Sequence, residues 1–201
     1  MNRRRRIPLQ ARRAWASAKP VKAQNAKAKR RPAMSDGEWQ MRVDLAACYR
    51  LIAHYEMDDL FATHISARIP GADEHFLINQ LGMLFSQVTA SSLVKVDLAG
   101  NVIWPRGALI NPAGYVIHSA VHGARPDAKC VIHTHTVAGM AISSLKEGLL
   151  PLNQKSMRFH NRVAYHDFEG VVVDLDEQKR LVANLGDAEV LILRNHGLLA
   201  C

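Results

Sequence analysis

The segment Lys129-Cys130-Val131-Ile132-His133-Thr134-His135-Thr136 joins a short apolar run to two histidines that are two positions apart. Its β-branched residues predict a strand over residues 129–135. Side chains two positions apart on a strand leave the same face, with their Cα atoms about 7 Å apart, so His133 and His135 are expected to project together. Two such imidazoles can share a divalent cation, although two half-buried histidines bonded to backbone carbonyls would give the same pattern.

A second strand supplies a third histidine. Residues 189–194 form a short apolar segment, and Asn195-His196-Gly197 follows it directly. The glycine permits a turn, which places His196 at the end of this strand. Three histidines at two strand ends would leave coordination positions open for a substrate, as a catalytic metal requires. We therefore predict that His133, His135 and His196 bind a metal ion.

The segments on either side alternate between helix and strand patterns. Five residues between Met41 and Tyr55 recur at helical spacing, and Ser35 or Asp36 is the candidate cap of this helix. The pattern predicts an α/β fold in which helices cover one sheet of mixed direction. The predicted strands are residues 62–69, 76–78, 93–96, 102–104, 129–135, 170–173 and 189–194. The other predicted helices are residues 112–122, 137–145 and 152–159 and a helix ending at Leu185, capped by Asp174 or Asp176.

The beginning of the chain differs from the rest in composition. Residues 1–33 carry twelve Lys or Arg and no Asp or Glu, whereas the remainder has 14 basic and 18 acidic residues, so the net charge of +8 belongs to this tail. With few large apolar residues, the tail (residues 1–34) is predicted to be disordered, before one domain over 35–201. Four interpretations remain open: a nucleic-acid or anionic-surface arm, a transit peptide, a solvated tail, or a true start at Met34. Nucleic-acid binding is disfavoured because no basic patch continues into the domain.

The composition also disfavours several classes of protein. No apolar run approaches the roughly 20 residues that a membrane span needs, so no membrane segment is expected. Cys48, Cys130 and Cys201 are odd in number and widely spaced, which argues against a disulfide scaffold and against a thiolate zinc site. A cytoplasmic location fits this cysteine usage. Two of the ten histidines, His160 and His166, lie in a polar connecting segment and are expected to face solvent.

The run from Ala124 to Thr136 (ARPDAKCVIHTHT), together with the segment RNHGLL from Arg194 to Leu199, strongly resembles the class II aldolase/adducin family. The resemblance extends from about Trp39 to the end, roughly four-fifths of the chain. It implies a three-layer α/β/α sandwich with a central mixed sheet. It also implies that the three histidines predicted above hold Zn²⁺, or another divalent ion such as Mn²⁺ or Co²⁺.

The resemblance also implies a function. Active members of the family make or break a carbon–carbon bond beside a carbonyl, and the metal stabilises the enediolate. The substrate implied is a small hydroxycarbonyl or sugar-like compound. The members are commonly tetramers with the site near a subunit boundary, so a homo-oligomer is implied. The alternative is the adducin head, a binding or assembly module with a cytoskeletal or other protein partner. Because members continue for several tens of residues beyond this match, a C-terminal portion is expected to be missing.

The chain departs from the sugar-phosphate enzymes of the family at the catalytic position. Their glutamate lies four residues before a histidine that matches His118, and Gly114 stands at that position here. General acid–base assistance is worth about 10²–10⁴ in rate, and glycine provides none. Pro112 and Ala113 replace the two serines that bind phosphate in those enzymes. The departures disfavour an efficient sugar-phosphate aldolase, whereas the predicted metal ligands are all present.

Other side chains could take the place of the glutamate. Tyr115 and His118 lie on the helix that presents the glutamate in the family, and His64 lies on the loop that meets the substrate. These three are the candidate catalytic residues, although His118 is expected to face the sheet and bond to a carbonyl. Gly82 and Ser66 match positions of the phosphate pocket and are the candidate substrate-binding residues.

Overall fold

The computed structural model of the chain describes residues 34–170 and 175–201. The predicted disordered tail lies outside these residues except for Met34, and so do the candidate cap Asp174 and all of the strand predicted at 170–173 except Gly170. No helix of the described part combines the length and the apolar character that crossing a membrane requires. The described residues build an α/β fold around one eight-stranded sheet, which confirms the predicted class.

The sheet is mixed, as the sequence predicts. Its strands are β1 (His64–Ile69), β2 (Ala72–Ile78), β3 (Val94–Asp97), β4 (Val102–Trp104), β5 (Cys130–Thr134), β6 (Val163–His166), β7 (Val190–Leu193) and β8 (Gly197–Ala200). They lie in the order β4-β3-β2-β1-β5-β8-β7-β6. Neighbouring strands are antiparallel except β6 and β7, which run parallel. This order places β1, β5 and β8 side by side in the middle of the sheet.

One face of the sheet is covered by helix α1 (Asp36–His54). Its apolar stripe, which includes Leu45 and Tyr49, packs on β1 and β2. The buried hydroxyl of Tyr49 accepts hydrogen bonds from the backbone N–H groups of Ile65 (2.9 Å) and Asn79 (3.1 Å), which ties α1 to the sheet. The buried apolar residues of this layer are Leu45, Ala46, Tyr49, Ile65, Ala67, Ile69, Leu77, Phe85, Val88 and Leu93.

The opposite face carries helix α2 (Pro112–Ala124) and, later in the chain, helix α5 (Leu175–Leu185). Helices α3 (Val137–Ser143) and α4 (Gln154–Met157) lie between them in sequence, and a 3₁₀ turn covers Phe85–Gln87. Helices on both faces give the three layers expected for the family. The buried apolar residues of the α2–α5 layer are Val116, Ile117, Val121, Ala128, Val131, Leu181, Leu185, Leu191, Leu193 and Leu199.

The helix starts follow the capping rules. Ser35 precedes α1, and its hydroxyl accepts a hydrogen bond from the backbone N–H of Glu38 at 3.1 Å. Asn111 precedes α2, and its side-chain oxygen accepts from the N–H of Ala113 at 3.0 Å. Each cap satisfies a backbone donor that the helix itself leaves unpaired. The predicted start of the first helix is therefore confirmed, with Ser35 as the cap.

The structure contains two strands that the sequence did not predict, and the first is β6. The segment Val163–His166 was expected to be a polar connection, yet it pairs with β7 at the edge of the sheet. His166 at its end is 3% exposed. Its ring lies 3.2 Å from the side-chain nitrogen of Asn184 and 3.4 Å from a carboxylate oxygen of Glu177, both on α5. The expectation that His166 faces solvent was wrong, because α5 covers the end of this short strand.

The second unpredicted strand, β8, decides how the candidate ligands meet. It has only four residues, Gly197–Ala200, and it pairs antiparallel with both β5 and β7. A run of two leucines after a turn is too short to distinguish from a loop by periodicity. In the fold, β8 forms a hairpin with β7 and thereby places the hairpin tip beside the end of β5.

Candidate metal centre

The three predicted ligands lie together in the structure. His133 belongs to β5, His135 follows the end of that strand, and His196 lies at the tip of the β7–β8 hairpin. One ligand atom from each histidine lies within 4.8 Å of the ligand atoms of the other two. The ring centroids are 4.7, 4.8 and 4.9 Å apart in the three pairs. The geometry therefore matches the predicted histidine set, which we call the triad.

Strand register explains why His196 reaches the other two histidines. Leu199 pairs with His133 and Leu198 pairs with Thr134, so the hairpin tip is carried past the end of β5. The turn conformation falls on Asn195, which has a φ of 56°. Asparagine tolerates this left-handed region better than most residues do.

Gly197 has a different role from the one expected. A Cβ at Gly197 would lie 2.6 Å from the backbone oxygen of Thr134 and 2.9 Å from the ring of His135. The glycine is therefore required because β5 approaches the hairpin closely, whereas Asn195 provides the left-handed turn residue.

Hydrogen bonds at Nδ1 determine which nitrogens of the triad face its centre. The Nδ1 atom of His133 lies 3.0 Å from the carbonyl oxygen of Leu198, and that of His135 lies 3.0 Å from Oδ2 of Asp59. A carbonyl and a carboxylate only accept hydrogen bonds, so both Nδ1 atoms carry the proton. Both Nε2 atoms then present lone pairs, and these two atoms are 2.9 Å apart. Two lone pairs this close repel each other unless a metal ion or a proton lies between them.

Burial keeps two of the triad imidazoles, His133 and His196, electrically neutral. It lowers the pKa of His133 well below the usual value, and the neighbouring His196 and His135 lower it further. Burial, with a smaller effect of His135, lowers the pKa of His196 to about 4. At neutral pH these imidazoles are unprotonated, which is the form that binds a metal ion. Three imidazole nitrogens, with the rings of His133 and His135 held by hydrogen bonds at Nδ1, fit a divalent cation of the zinc type.

Asp59 is a residue of this centre that the sequence analysis missed. It lies in the loop after α1, 76 positions before His135 along the chain. Its carboxylate holds the His135 ring in the tautomer that presents Nε2 to the triad. The pair Asp58-Asp59 carries no motif, and only the fold brings it to the end of β5. A polar loop before a strand offered no signal that could have identified it.

A buried polar row lies beside the triad, between β1 and α2. His64, Ser66 and Arg68 alternate along β1 on the face that α2 covers, and His118 and His122 lie one turn apart on α2. The hydroxyl of Ser66 lies 2.6 Å from Nδ1 of His118 and 2.8 Å from Nε2 of His122. A guanidinium nitrogen of Arg68 donates to the backbone oxygen of His122. Residues two apart on β1 are spaced like residues four apart on α2, so polar side chains of the strand meet the helix repeatedly along this row.

His64 is the member of the polar row that borders the triad. It pairs with His133 across β1 and β5, and the two rings are nearly parallel with centroids 6.0 Å apart. Its ring also lies against Gly114, where a Cβ would be only 2.7 Å away. Burial, aided by His135 and His196, lowers the pKa of His64 to about 4. Of the three candidate catalytic residues, His64 alone has a described ring contact with the triad.

The other candidates make contacts away from the triad. The hydroxyl of Tyr115 donates a hydrogen bond to the backbone oxygen of Leu98, near the β3–β4 hairpin. His118 faces the sheet as expected, but its partner is the Ser66 hydroxyl rather than a carbonyl. Ser66 itself is fully buried between two histidines. Gly82 is an exposed turn residue with a φ of 80°. The catalytic roles of Tyr115 and His118 and the substrate-binding roles of Ser66 and Gly82 remain predictions.

The fold and the triad define an α/β protein with a candidate mononuclear metal centre. The sequence profile described as Class II Aldolase and Adducin N-terminal domain matches residues 43–201. The chain therefore belongs to the class II aldolase and adducin family, as its resemblance implied.

Individual relatives come from both branches of the family. A provisionally named class 2 aldolase protein of Caulobacter vibrioides is 58% identical over 167 residues, which are 83% of this chain and 65% of the relative. Alpha-adducin of Rattus norvegicus is 47% identical over 172 residues, which cover 84% of this chain and 23% of that protein. The chain thus spans less than two-thirds of the curated relatives that it matches.

Solved structures support the three-layer fold. The crystal structure of an aldolase II superfamily protein from Pseudomonas syringae aligns with a TM-score of 0.81 and 58% identity, covering 83% of this chain and 68% of that one. L-fuculose 1-phosphate aldolase from Glaciozyma antarctica aligns with a TM-score of 0.72 and 31% identity, covering 85% of this chain and 68% of that one.

Proposed function

We propose that the chain is a metal-dependent lyase that makes or breaks a carbon–carbon bond in a small hydroxycarbonyl or sugar-like compound. One observation carries the proposal: the Nε2 lone pairs of His133 and His135 face each other at 2.9 Å, and a shared cation relieves their repulsion. The similarity to L-fuculose 1-phosphate aldolase supports the reaction class. Zn²⁺ is the cation that we propose, with Co²⁺ or Mn²⁺ as the other members of the same class.

The roles of the chain's own residues follow from their contacts. His133, His135 and His196 would hold the cation through one nitrogen each, which leaves positions open for a substrate. The carbonyl of Leu198 and the carboxylate of Asp59 keep two of these rings in the required tautomer. When bound, the cation supplies Lewis acidity to a carbonyl oxygen, which lowers the energy of the negative charge that develops as the neighbouring bond breaks.

Elemental analysis of the chain purified without chelators tests the metal centre. We expect about one divalent ion per chain, and each of His133→Ala, His135→Ala and His196→Ala should abolish tight binding, because two remaining ligands make a weak site. His160→Ala removes an exposed histidine and serves as the matched control. Substoichiometric metal in the wild-type chain, or unchanged metal content in all three variants, would refute the proposal.

A substrate panel tests the reaction. The metal-loaded chain is incubated with phosphorylated and free hydroxycarbonyl compounds, and released aldehyde is measured. We expect release that disappears when the metal is removed by a chelator and returns when Zn²⁺ or Co²⁺ is added. Release that persists in the chelated protein would contradict a metal-dependent lyase.

The second candidate function is a non-catalytic binding or assembly module. Two observations favour it: Gly114 provides no carboxylate for proton transfer, and the chain is 47% identical to alpha-adducin over 172 residues. Such a module would present the same fold to a protein partner. Stoichiometric metal together with no aldehyde release across the panel would favour this module over the lyase.

We also propose that the chain forms a homo-oligomer, as a tetramer, with the triad near a subunit boundary. Some exposed large apolar side chains belong to Phe168, which lies near His196, and to the two residues that follow Asp59 in the chain. Leu60 and Phe61 directly follow Asp59 and are 64% and 51% exposed, and Phe168 is 55% exposed with its ring 6.5 Å from that of His196. Apolar side chains grouped in this way commonly mark an interaction surface. Light scattering during size-exclusion chromatography should give four times the chain mass, and a monomer at all concentrations would contradict the proposal.

A further inference from the structure

His64 has two polar atoms without a partner in the described structure. The residue is 3% exposed, and neither ring nitrogen makes a hydrogen bond to a described group. Buried polar groups are paired in most proteins, since an unpaired one costs about 1–3 kcal/mol. In an ordinary core position an apolar residue of similar size would be more stable. The hydrogen-bond partner of His64 must therefore be a group other than the described residues.

The position of His64 restricts where that partner can be. One side of the ring is occupied by Gly114 in the first turn of α2, and His118 approaches edge-on with centroids 5.8 Å apart. On the triad side, the ring of His133 lies 6.0 Å away. The first turn of a 13-residue helix also carries a partial positive charge, which favours an anion nearby. His64 thus lies between the triad and a helix start that favours negative charge.

The charge of the centre indicates the kind of ligand. An imidazole binds a metal ion in its neutral form, so a divalent cation held by the three histidines would keep its full charge. Among the described residues, the carboxylate in contact with the triad is that of Asp59, and it bonds to the far side of His135. No described carboxylate is part of the group that could hold the ion. An anionic ligand would balance this charge better than a neutral one.

The donors near His64 suit a carboxylate better than a phosphate. A phosphate needs several donors, but Pro112 and Ala113 offer no side-chain hydroxyl at the start of α2. The Ser66 hydroxyl already bonds to two histidines. The His64 ring carries at least one N–H whether it is neutral or protonated, and this N–H can donate a hydrogen bond to one oxygen of a carboxylate.

Resting on the metal centre proposed above, we infer that His64 donates a hydrogen bond to an anionic oxygen of the ligand, and that this ligand is a small α-hydroxy or α-keto carboxylate. The three histidines would hold the cation with positions left open for oxygens of such a compound, and His64 would donate its N–H to the carboxylate. His64 is then a substrate-binding residue that sets the substrate class.

Titrations of the Co²⁺-loaded full chain, followed by visible absorption, test this inference. The probes are glycolate and pyruvate, with glycolaldehyde as the uncharged analogue of glycolate and inorganic phosphate as the competing anion. We expect both carboxylates to bind at least about tenfold more tightly than glycolaldehyde or phosphate. His64→Leu, which lacks a donor, should weaken carboxylate binding by about 10- to 100-fold with unchanged Co²⁺ stoichiometry. His64→Gln, which keeps an N–H, should recover part of the loss.

The outcomes separate this inference from the proposed function. Stoichiometric Co²⁺ with equal glycolate affinity in the wild type, His64→Leu and the exposed control His160→Leu would refute the inference alone, because a buried water would then be the partner of His64. Tighter binding of phosphate than of both carboxylates would also refute it. A wild-type chain that does not bind Co²⁺ would refute the proposed function together with the inference. If His64→Leu fails to fold by circular dichroism, glycolaldehyde binding as tight as glycolate binding in the wild type is the refuting result.

Discussion

The imidazole of His64 lies so close to Gly114 that a Cβ at position 114 would stand 2.7 Å from two carbon atoms of the ring. The ring of His64, which belongs to β1, therefore occupies the space that a side chain at position 114 would need. Because the family resemblance places a catalytic glutamate at Gly114, the two positions are coupled: the chain has room for His64 or for a side chain at 114, but not for both in their present geometry.

The coupling predicts the effect of adding a methyl group to this helix. Gly114→Ala should lower the free energy of unfolding by about 1–3 kcal/mol, because overpacking outweighs the better helix propensity of alanine. Gly123→Ala in the same helix is the matched control, since a Cβ there has open space, and it should be neutral or slightly stabilising. Urea unfolding of both variants checks this, and an equal response of the two would contradict the close contact.

A double-mutant cycle tests the coupling itself. If His64 is the obstacle, His64→Ala combined with Gly114→Ala should be less destabilising than the sum of the single effects, by about 1 kcal/mol or more. Additive effects would show that another neighbour limits position 114. The same reasoning predicts that Gly114→Glu alone cannot place a carboxylate beside the triad, whereas His64→Ser with Gly114→Glu has the room to do so.

Asp59 provides the second prediction. Asp59→Asn keeps the size of the side chain but removes the charge that holds the proton on Nδ1 of His135. We expect metal affinity to fall by about 10- to 100-fold, as is typical when such a supporting carboxylate is lost. Asp58→Asn makes the same charge change one residue earlier and should leave the affinity unchanged. Competition with a metal indicator measures both, and equal affinities for the two variants would exclude the proposed support.

The fold and the histidine triad could be predicted because local rules determine them. Period-two spacing puts His133 and His135 on one strand face, and a buried strand that ends shortly before Asn195 places His196 beyond its terminus. The mixed sheet follows from short strands separated by turn residues. These inferences depend on neighbours within a few positions, where backbone geometry alone decides which way a side chain points.

Features that depend on distant parts of the chain could not be predicted. The contact between Asp59 and His135, and that between His64 and Gly114, depend on how the loop after α1 and the start of α2 pack on the sheet. The short strand β8 is recognisable only once β5 and β7 provide its partners. His166 is a polar residue in a polar segment, so the sequence indicates that it is exposed. It is buried only because α5 packs over the end of β6.

Ser66 provides the third prediction, which concerns stability. Its hydroxyl is the bridge between His118 and His122, at 2.6 and 2.8 Å. Ser66→Ala leaves two buried ring nitrogens without that partner, so the free energy of unfolding should fall by about 1–3 kcal/mol or more. Ser144→Ala removes an exposed hydroxyl that bonds to the backbone oxygen of Met140, and should change stability by less than about 0.5 kcal/mol. Equal effects in chemical denaturation would mean that the bridge contributes nothing.

The buried histidines of α2 also predict how stability depends on pH in the metal-free chain. Burial, with the charge of Arg68, lowers the pKa of His122 to about 3, and burial lowers the pKa of His118 well below its usual value. In the unfolded chain both pKa values return to about 6.5. Below pH 6.5 the unfolded state therefore binds protons that the folded state does not, so the folded state loses stability as the pH falls. Above pH 6.5 both states are neutral at these residues, and their contribution is constant.

Each of these two histidines should lower the free energy of unfolding by about 1.4 kcal/mol per pH unit below 6.5, until the pH reaches the folded-state pKa. Between pH 7.0 and 5.5 the two together should remove roughly 2–3 kcal/mol. Urea unfolding at both pH values measures the total loss, to which the buried His64, His133 and His196 also contribute because their pKa values are lowered as well. His122→Gln should reduce this total by about 1–1.5 kcal/mol. His160→Gln, at an exposed position, should leave it unchanged. If His122→Gln shows the wild-type loss, His122 titrates alike in the folded and unfolded chains, and its burial does not keep it neutral.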